Sequence, residues 1–338
     1  MRRLMDAHGR DARDLRVSLT DRCNLRCTYC MPADGLPWLP MGNTLSDEET
    51  IRLVRVGVEL LGITKVRFTG GEPLIRPGLP NIIAATRAMT TTEGITPETA
   101  LTTNGIGLSP KIPALVDAGL DRVNVSLDSL DRGRYAQLAR RDRLDEVLHS
   151  IEAAAAAGLT PVKINSVVMR GVNEQDVVPL VEFALQQGYE LRFIEQMPLG
   201  PKGEWERAEM VTQTEILEML GARFAMAPAE EPRGSAPAAL WNVEADDHQP
   251  GGRVGVIASV TNPFCGDCDR TRLTSDGQVR TCLFSQRETD LRTPMRDGAT
   301  DEELAELWAG AQWRKPKAHG IDNPEFVQPA RTMSAIGG

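Results

Sequence analysis

Between Leu15 and Met197 the chain alternates short runs rich in β-branched residues with stretches of helical periodicity. The runs are LRVSLT from Leu15, KVRFTGG from Lys65, ALTTNG from Ala100, RVNVSLD from Arg122, PVKINSVVM from Pro161 and ELRFIEQM from Glu190. One intervening helix reads SDEETIRLVRVGVELLG. It has Ser46 as N-cap, acids in its first turn and Gly62 at its stop. Another, DRLDEVLHSIEAAAAAG, stops at Gly158. This rhythm predicts successive βαβ units with parallel strands and right-handed crossovers. About six such units make an α/β fold of incomplete (β/α)6 TIM-barrel type.

The strands do not read as the continuous apolar runs usual in parallel sheets. With period two, Arg16, Ser18 and Thr20 oppose Leu15, Val17 and Leu19; Lys65, Arg67 and Thr69 oppose Val66 and Phe68. Asn124, Ser126 and Asp128 likewise oppose Val123, Val125 and Leu127, and Lys163 and Asn165 oppose Val162 and Ile164. The crossover helices need the apolar face, so the polar face points into the barrel. Arg16, Arg67 and Lys163 then make a basic interior. After Met197 the rhythm stops. Ala225 to Trp241 is rich in Ala and Pro and predicts a mobile surface loop, followed by an irregular region and the helical stretch DEELAELWAGAQW. A boundary near 224 divides a 1–224 partial barrel from a 225–338 C-terminal region.

Composition changes this picture little. With 338 residues, 41% of them hydrophobic, the chain is long enough for a sizeable core. No run nears the ~18 apolar residues of a membrane span. The N-terminal MRRLMDAHGRDARDLR has no apolar segment of the secretory kind, so a cytoplasmic protein is expected. A net charge of −9 argues against broad nucleic-acid or membrane-surface binding but leaves room for a local basic pocket.

The six cysteines form two triads, Cys23/Cys27/Cys30 in C-x3-C-x2-C and Cys265/Cys268/Cys282 in C-x2-C-x13-C. A zinc knuckle, a disulfide with a spare thiol, or buried core cysteines could each account for the first, and a redox C-x-x-C or zinc ribbon for the second. Structural zinc wants four ligands, and no His lies in the first loop. Three thiolates directly after a strand better suit an iron–sulfur cubane that leaves one iron open.

C-x3-C-x2-C with Tyr29 before its last cysteine, followed by TGGEP at Thr69 to Pro73, resembles the radical S-adenosylmethionine superfamily. The Gly-Gly pair after a strand would let backbone approach a ligand closely. RTR after Cys268, with LTTNG, NVSLDSL, LRFIE and the terminal IGG, is similar to the GTP 3′,8-cyclase family that opens molybdenum cofactor biosynthesis, from about Leu15 to Gly338. The resemblance implies a lyase with a 4Fe–4S cluster on each triad and S-adenosylmethionine as cofactor. A 5′-deoxyadenosyl radical would take hydrogen from C3′ of GTP, and the carbon radical would attack C8 to give (8S)-3′,8-cyclo-7,8-dihydroguanosine 5′-triphosphate.

The resemblance also implies S-adenosylmethionine contacts at Tyr29, Gly71, Ser126 and Met197. It implies GTP contacts at Arg16, Arg67, Thr102, Lys163, Arg270, Thr271 and Arg272. Catalytic roles fall to Arg16, Arg270, Arg272 and the tail residues Gly337 and Gly338. Expected partners are a one-electron donor of flavodoxin or ferredoxin type and the next enzyme of the pathway, with a monomer or homodimer as the working form. Trp38, after the first triad, is a candidate lid residue. Another radical enzyme with an auxiliary cluster, or a non-catalytic zinc-binding protein, is the alternative.

Overall fold

The structure, a computed structural model, describes residues 3–337. Its barrel strands are β1 (Asp14–Ser18), β2 (Lys65–Thr69), β3 (Glu98–Thr103), β4 (Arg122–Ser126), β5 (Lys163–Val168) and β6 (Glu190–Glu195). Each lies parallel to the next. The crossovers carry α1 (Asp47–Arg55), α2 (Leu79–Arg87), α3 (Ile112–Asp117), α4 (Arg132–Ala139), α5 (Leu144–Ala156) and α6 (Val177–Gln187). The expected start of α1 forms a reciprocal capping box. Ser46 Oγ accepts from Glu49 N–H, and Ser46 N–H donates to the Glu49 carboxylate at 2.8 Å. The helix continues as a π turn over Val56–Leu60 and stops at Gly62, whose φ is +77°.

Period-two alternation does what the sequence requires of it. Leu15, Val17, Val66, Phe68, Leu101, Val123, Val125, Ile164, Leu191 and Phe193 are buried against the helices in one continuous core. Each large apolar side chain there contributes about 1.5–3 kcal/mol relative to exposure.

After Met197 the structure departs from expectation. The region beyond it is not irregular but continues the same sheet at both edges. After α7 (Gln213–Gly221), the strands β7 (Met226–Pro228), β8 (Ala239–Val243) and β9 (Gly252–Ile257) extend one side, with β9 parallel to β6. On the other side β10 (Arg270–Leu273) lies parallel to β1 and is followed by β11 (Gln278–Arg280) and β12 (Thr289–Asp290). The strand order is therefore β12-β11-β10-β1-β2-β3-β4-β5-β6-β9-β8-β7, an incomplete barrel whose edges are lengthened by hairpins. The expected loop is corrected at its ends: Met226–Pro228 and Ala239–Val243 pair as strands, while the segment between them stays a loop, exposed at Glu230, Glu231 and Pro232 and anchored further on. There Ser235 donates to Asp269 at 2.9 Å and Ala238 is buried.

Beyond β12 come α8 (Arg292–Arg296), α9 (Asp301–Trp313) and α10 (Met333–Ile336). Trp308 on α9 is fully buried, and its indole N–H donates to Thr271 Oγ at 2.9 Å, which fastens α9 to the outer face of β10. A smaller core of Leu199, Met210, Val260, Phe284, Ile321 and Ile336 joins the end of the chain to the segment after β6.

Candidate active site

The C-terminal ends of the strands open into a cavity of about 310 Å³ lined by all six cysteines. The first triad lies on the loop after β1. This loop is held by the turn after β2: Gly71 N–H donates to Thr20 O at 2.7 Å, and Glu72 N–H to Arg22 O at 2.8 Å. A Cβ at Gly70 would sit 2.5 Å from Thr20 O, and one at Gly71 would sit 2.2 Å from Arg22 O. The glycine pair is thus required by the backbone of the cysteine loop, whereas the sequence reading attributed it to a ligand's approach. Glu72, which that reading passed over, is buried and accepts from Leu74 N–H, Thr103 Oγ (2.7 Å) and Asn104 N–H (2.8 Å). Burial outweighs these donors and raises its carboxyl to about 7.

Tyr29 hydroxyl donates to Asp128 at 2.8 Å, and Asp128 also accepts from Val167 N–H at 2.8 Å. A Cβ on Gly200 would meet Tyr29 O at 2.4 Å, so the segment after β6 also packs on this loop. Burial raises the thiols of Cys23, Cys27 and Cys30, the last to about 12. A thiolate at this position needs the charge of bound iron. Among the described residues no group of three His, Cys, Asp or Glu side chains is arranged to share one metal ion. A cluster asks for less convergence, because each thiolate has its own iron. Trp38 does not line the cavity; its ring lies 5.2 Å from the Arg26 guanidinium.

Deeper in the barrel, strand register assembles the basic groups. Arg16 lies opposite Arg67 on one side and Arg272 on the other, while Asp14 lies opposite Arg270. Arg16, Arg270 and Arg272 are each less than one-tenth exposed. Burial lowers Arg16 to about 10, partly offset by Asp14, and lowers Arg272 to about 9 with help from Arg16 and Arg270. Burial also pushes Arg67 well down. Burial alone would raise Asp14, but Arg16, Arg67, Arg270 and Arg272 outweigh it and hold its carboxyl at about 2. The Nε atoms of Arg16, Arg67 and Arg270 are buried without a hydrogen-bond partner. Four guanidiniums around one carboxylate, with donors to spare, fit a polyanion.

The residues expected from the sequence separate cleanly. Tyr29, Gly71, Ser126 and Met197 line the cavity, as do Arg16, Arg67, Thr102, Arg270 and Arg272. Two others do not. Thr271 sits on the opposite face of β10, where period two must place a residue between Arg270 and Arg272, and it accepts from Trp308. Lys163 lies 3.3 Å from the Glu190 carboxylate, which it shares with Arg192, whose Nε donates to Glu190 at 2.7 Å. Arg192, which lines the cavity, was legible in LRFIE by the same alternation but was not singled out. Lys65, expected inward, is exposed at the start of β2.

The second triad comes from the turn Cys265–Asp267 ahead of β10 and from the segment after β11. Phe264 beside it carries the Arg270 guanidinium 4.4 Å above its ring. The chain's end enters between these elements. Ile336 is fully buried, Met333 N–H donates to Leu199 O at 2.9 Å, and Arg272 Nη1 donates to Gly337 O. Gly337 has φ +72°, and a Cβ there would lie 2.8 Å from Thr69 Cγ2 and 3.1 Å from Ser18 Cβ. Gly338 lies outside the described residues.

A partial parallel barrel with three thiols at the mouth of its first strand defines the radical S-adenosylmethionine class. The Radical SAM superfamily profile matches residues 17–184, and the Molybdenum Cofactor Synthesis C profile matches residues 189–321. The fold is shared with the solved structure "Native anSMEcpe with bound AdoMet" (TM-score 0.60, 15% identity, 93% of this chain and 83% of that one). It is shared too with Streptococcus suis SuiB bound to S-adenosylmethionine (TM-score 0.58, 15% identity, 94% and 67%). The chain is 63% identical to a GTP 3′,8-cyclase of Corynebacterium glutamicum over 99% of its own length and 89% of the relative's. It is 54% identical to GTP 3′,8-cyclase 2 of Mycobacterium tuberculosis over 99% and 92%. The chain belongs to the GTP 3′,8-cyclase family.

Proposed function

We infer that this protein is a radical S-adenosylmethionine lyase that converts GTP to its 3′,8-cyclised dihydroguanosine triphosphate for molybdenum cofactor synthesis. The observation that carries the reading is the joining of both cysteine triads and the arginine cluster in one cavity. Cys23, Cys27 and Cys30 would hold the first 4Fe–4S cluster, and Cys265, Cys268 and Cys282 the second. Bound there, the first cluster and S-adenosylmethionine supply the hydrogen-abstracting radical chemistry that joins C3′ of GTP to C8.

The chain's own residues orient and shield. Tyr29, Gly71, Ser126 and Met197 surround the S-adenosylmethionine position beside the first triad. Arg16, Arg67, Arg270 and Arg272 take the triphosphate, relieving the mutual repulsion of four closely set cations. Thr102 offers a neutral hydroxyl on the same wall. Lys163 serves through Glu190, which orients Arg192. The tail through Gly337 closes the cavity and fixes Arg272, a catalytic role expected of Gly338 as well, and enclosure keeps water from the reactive species. A flavodoxin- or ferredoxin-type donor supplies the electron, and the product passes to the next enzyme in the cytoplasm. Among the described residues no helix is long and apolar enough to cross a membrane.

Metal analysis of anaerobically prepared protein tests the site. Iron and sulfide should be present, with about half lost when either triad is changed to alanine. Zinc without iron or sulfide would overturn the reading.

A further inference from the structure

Backbone donors meet sulfurs of both triads, and the second triad has a charged donor besides. At the first, Cys23 Sγ accepts from Leu25 N–H at 3.4 Å and faces the Asn104 amide nitrogen at 3.8 Å, while Cys30 accepts from the backbone of Ser334. All of these are neutral. The charged groups bearing on this triad include the acids Glu72, beside Cys23, and Asp128, beside Cys27, together with Arg26, whose guanidinium is bound to the Cys23 and Leu25 carbonyls rather than to a sulfur. At the second, a lysine reaches the sulfur: Lys315 Nζ lies 3.3 Å from Cys268 Sγ.

Lys315 is only 3% exposed, which is rare for a lysine. Its other contacts are the Cys268 carbonyl at 2.9 Å and the Arg270 carbonyl at 2.8 Å. The ammonium's three donors are thus spent on two carbonyls and one sulfur, and the sulfur is the group among them that can carry the opposing charge. The lysine is also held in place. Lys315 N–H donates to Gln312 O at 2.9 Å at the end of α9. Arg10 reaches across from the N-terminal segment to the carbonyls of Pro316 (2.6 Å), Lys317 (2.9 Å) and Cys265 (2.5 Å), with its own charge balanced by Asp6 at 2.6 Å. One guanidinium therefore ties the lysine's segment to the loop of the second triad.

A reduced iron–sulfur cluster carries one more negative charge than the oxidised one. A cation hydrogen-bonded to a ligand sulfur favours the reduced form and raises the potential. We propose that Lys315 is the counter-charge of the second triad: a positioning residue that donates to the Cys268 ligand sulfur and raises the reduction potential of the cluster bound there, whereas the sulfurs of the first triad are met by neutral donors. Arg10 serves it by fixing the segment. This rests on the reading that both triads carry clusters.

The test is a potentiometric titration of the reconstituted full-length holoenzyme, followed by electron paramagnetic resonance. Signals are assigned with full-length chains lacking one triad or the other. In Lys315→Met and Lys315→Gln the second cluster should become harder to reduce, its reduced-to-oxidised ratio at fixed potential falling at least tenfold, about 59 mV for one electron. The first cluster should not move, and Lys315→Arg should stay near wild type. If the neutral variants lose the second cluster's iron while the arginine variant keeps it, the requirement for charge at this position is equally supported. An unmoved second potential with both clusters bound would overturn the assignment. So would an arginine variant that behaves like the methionine one. Wild-type protein with no iron at the second triad would instead sink the two-cluster reading itself.

Discussion

Replacing Gly337 with alanine perturbs the site by a single methyl group, and the structure sets its cost. At φ +72° an L-residue pays about 1–2 kcal/mol that glycine does not. The new Cβ would also stand 2.8 Å from Thr69 Cγ2 and 3.1 Å from Ser18 Cβ. These two residues lie opposite each other on paired parallel strands, so neither can withdraw easily, and crowding adds about 1–2 kcal/mol. The docked tail is held by burial of Ile336, about 1.5–3 kcal/mol, and by the charge-assisted bond from Arg272 to Gly337 O, about 1.5–3 kcal/mol. A penalty of about 2–4 kcal/mol lowers the docked-to-undocked ratio by between roughly thirtyfold and several hundredfold, and the ordering entropy of the tail, about 1–2 kcal/mol per residue, leaves little reserve to absorb it. Turnover, read as 5′-deoxyadenosine and cyclised product, should fall at least tenfold while iron content stays at the wild-type value. Adding Thr69→Ser removes the nearest methyl and should recover part of the steric share, the Ser18 contact remaining, but not the backbone share. Turnover within twofold of wild type in Gly337→Ala would refute the reasoning, because the methyl group has no room while the tail is docked.

Three further outcomes follow from the same geometry. Gly71→Ala places a Cβ 2.2 Å from Arg22 O, so the cysteine loop must shift; iron analysis should show loss of the first cluster with the second retained. Arg67→Ala removes a buried cation that burial and Arg16 already disfavour. Thermal unfolding without ligand should stay at or above the wild-type midpoint, whereas stabilisation by GTP or inorganic triphosphate should shrink in line with a binding loss of tenfold or more. Asp14→Asn tests the counter-ion. Because folding lowers this carboxyl from its ordinary 3.8 to about 2, its contribution of about 2 kcal/mol is present above pH 3.8 and lost as pH falls through 2. Denaturant unfolding should show the variant less stable than wild type at pH 7, with the gap closing between about pH 4 and pH 2.

Much of this site could be read before the fold was seen, and the reasons are local. Cysteine spacing marked both triads, and period two turned Arg16 and Arg67 inward because the helices had to cover the other face of each strand. The same rule, carried one strand further, would have found Arg192 and placed Thr271 outside. Other features depend on contacts distant in sequence. No local pattern announces that Gly71 is pressed by Arg22 O, that Lys163 is paired to Glu190 across a strand, or that Lys315 returns from the end of α9 to Cys268. The Ala/Pro-rich stretch misled because its prolines and glycine break helices while Ala, Pro and Gly are all poor strand formers. Its ends are strands because β9, already paired to β6, offers a free edge to β8, and β8 in turn pairs with β7.

The central claim is that both cysteine triads and the arginine cluster serve one reaction on GTP. Anaerobic protein incubated with dithionite, S-adenosylmethionine and a panel of nucleotides tests it most directly. The account predicts 5′-deoxyadenosine release that depends on GTP, accompanied by a 3′,8-cyclised guanosine triphosphate. Release unaffected by GTP, or stimulated instead by a peptide, would contradict it.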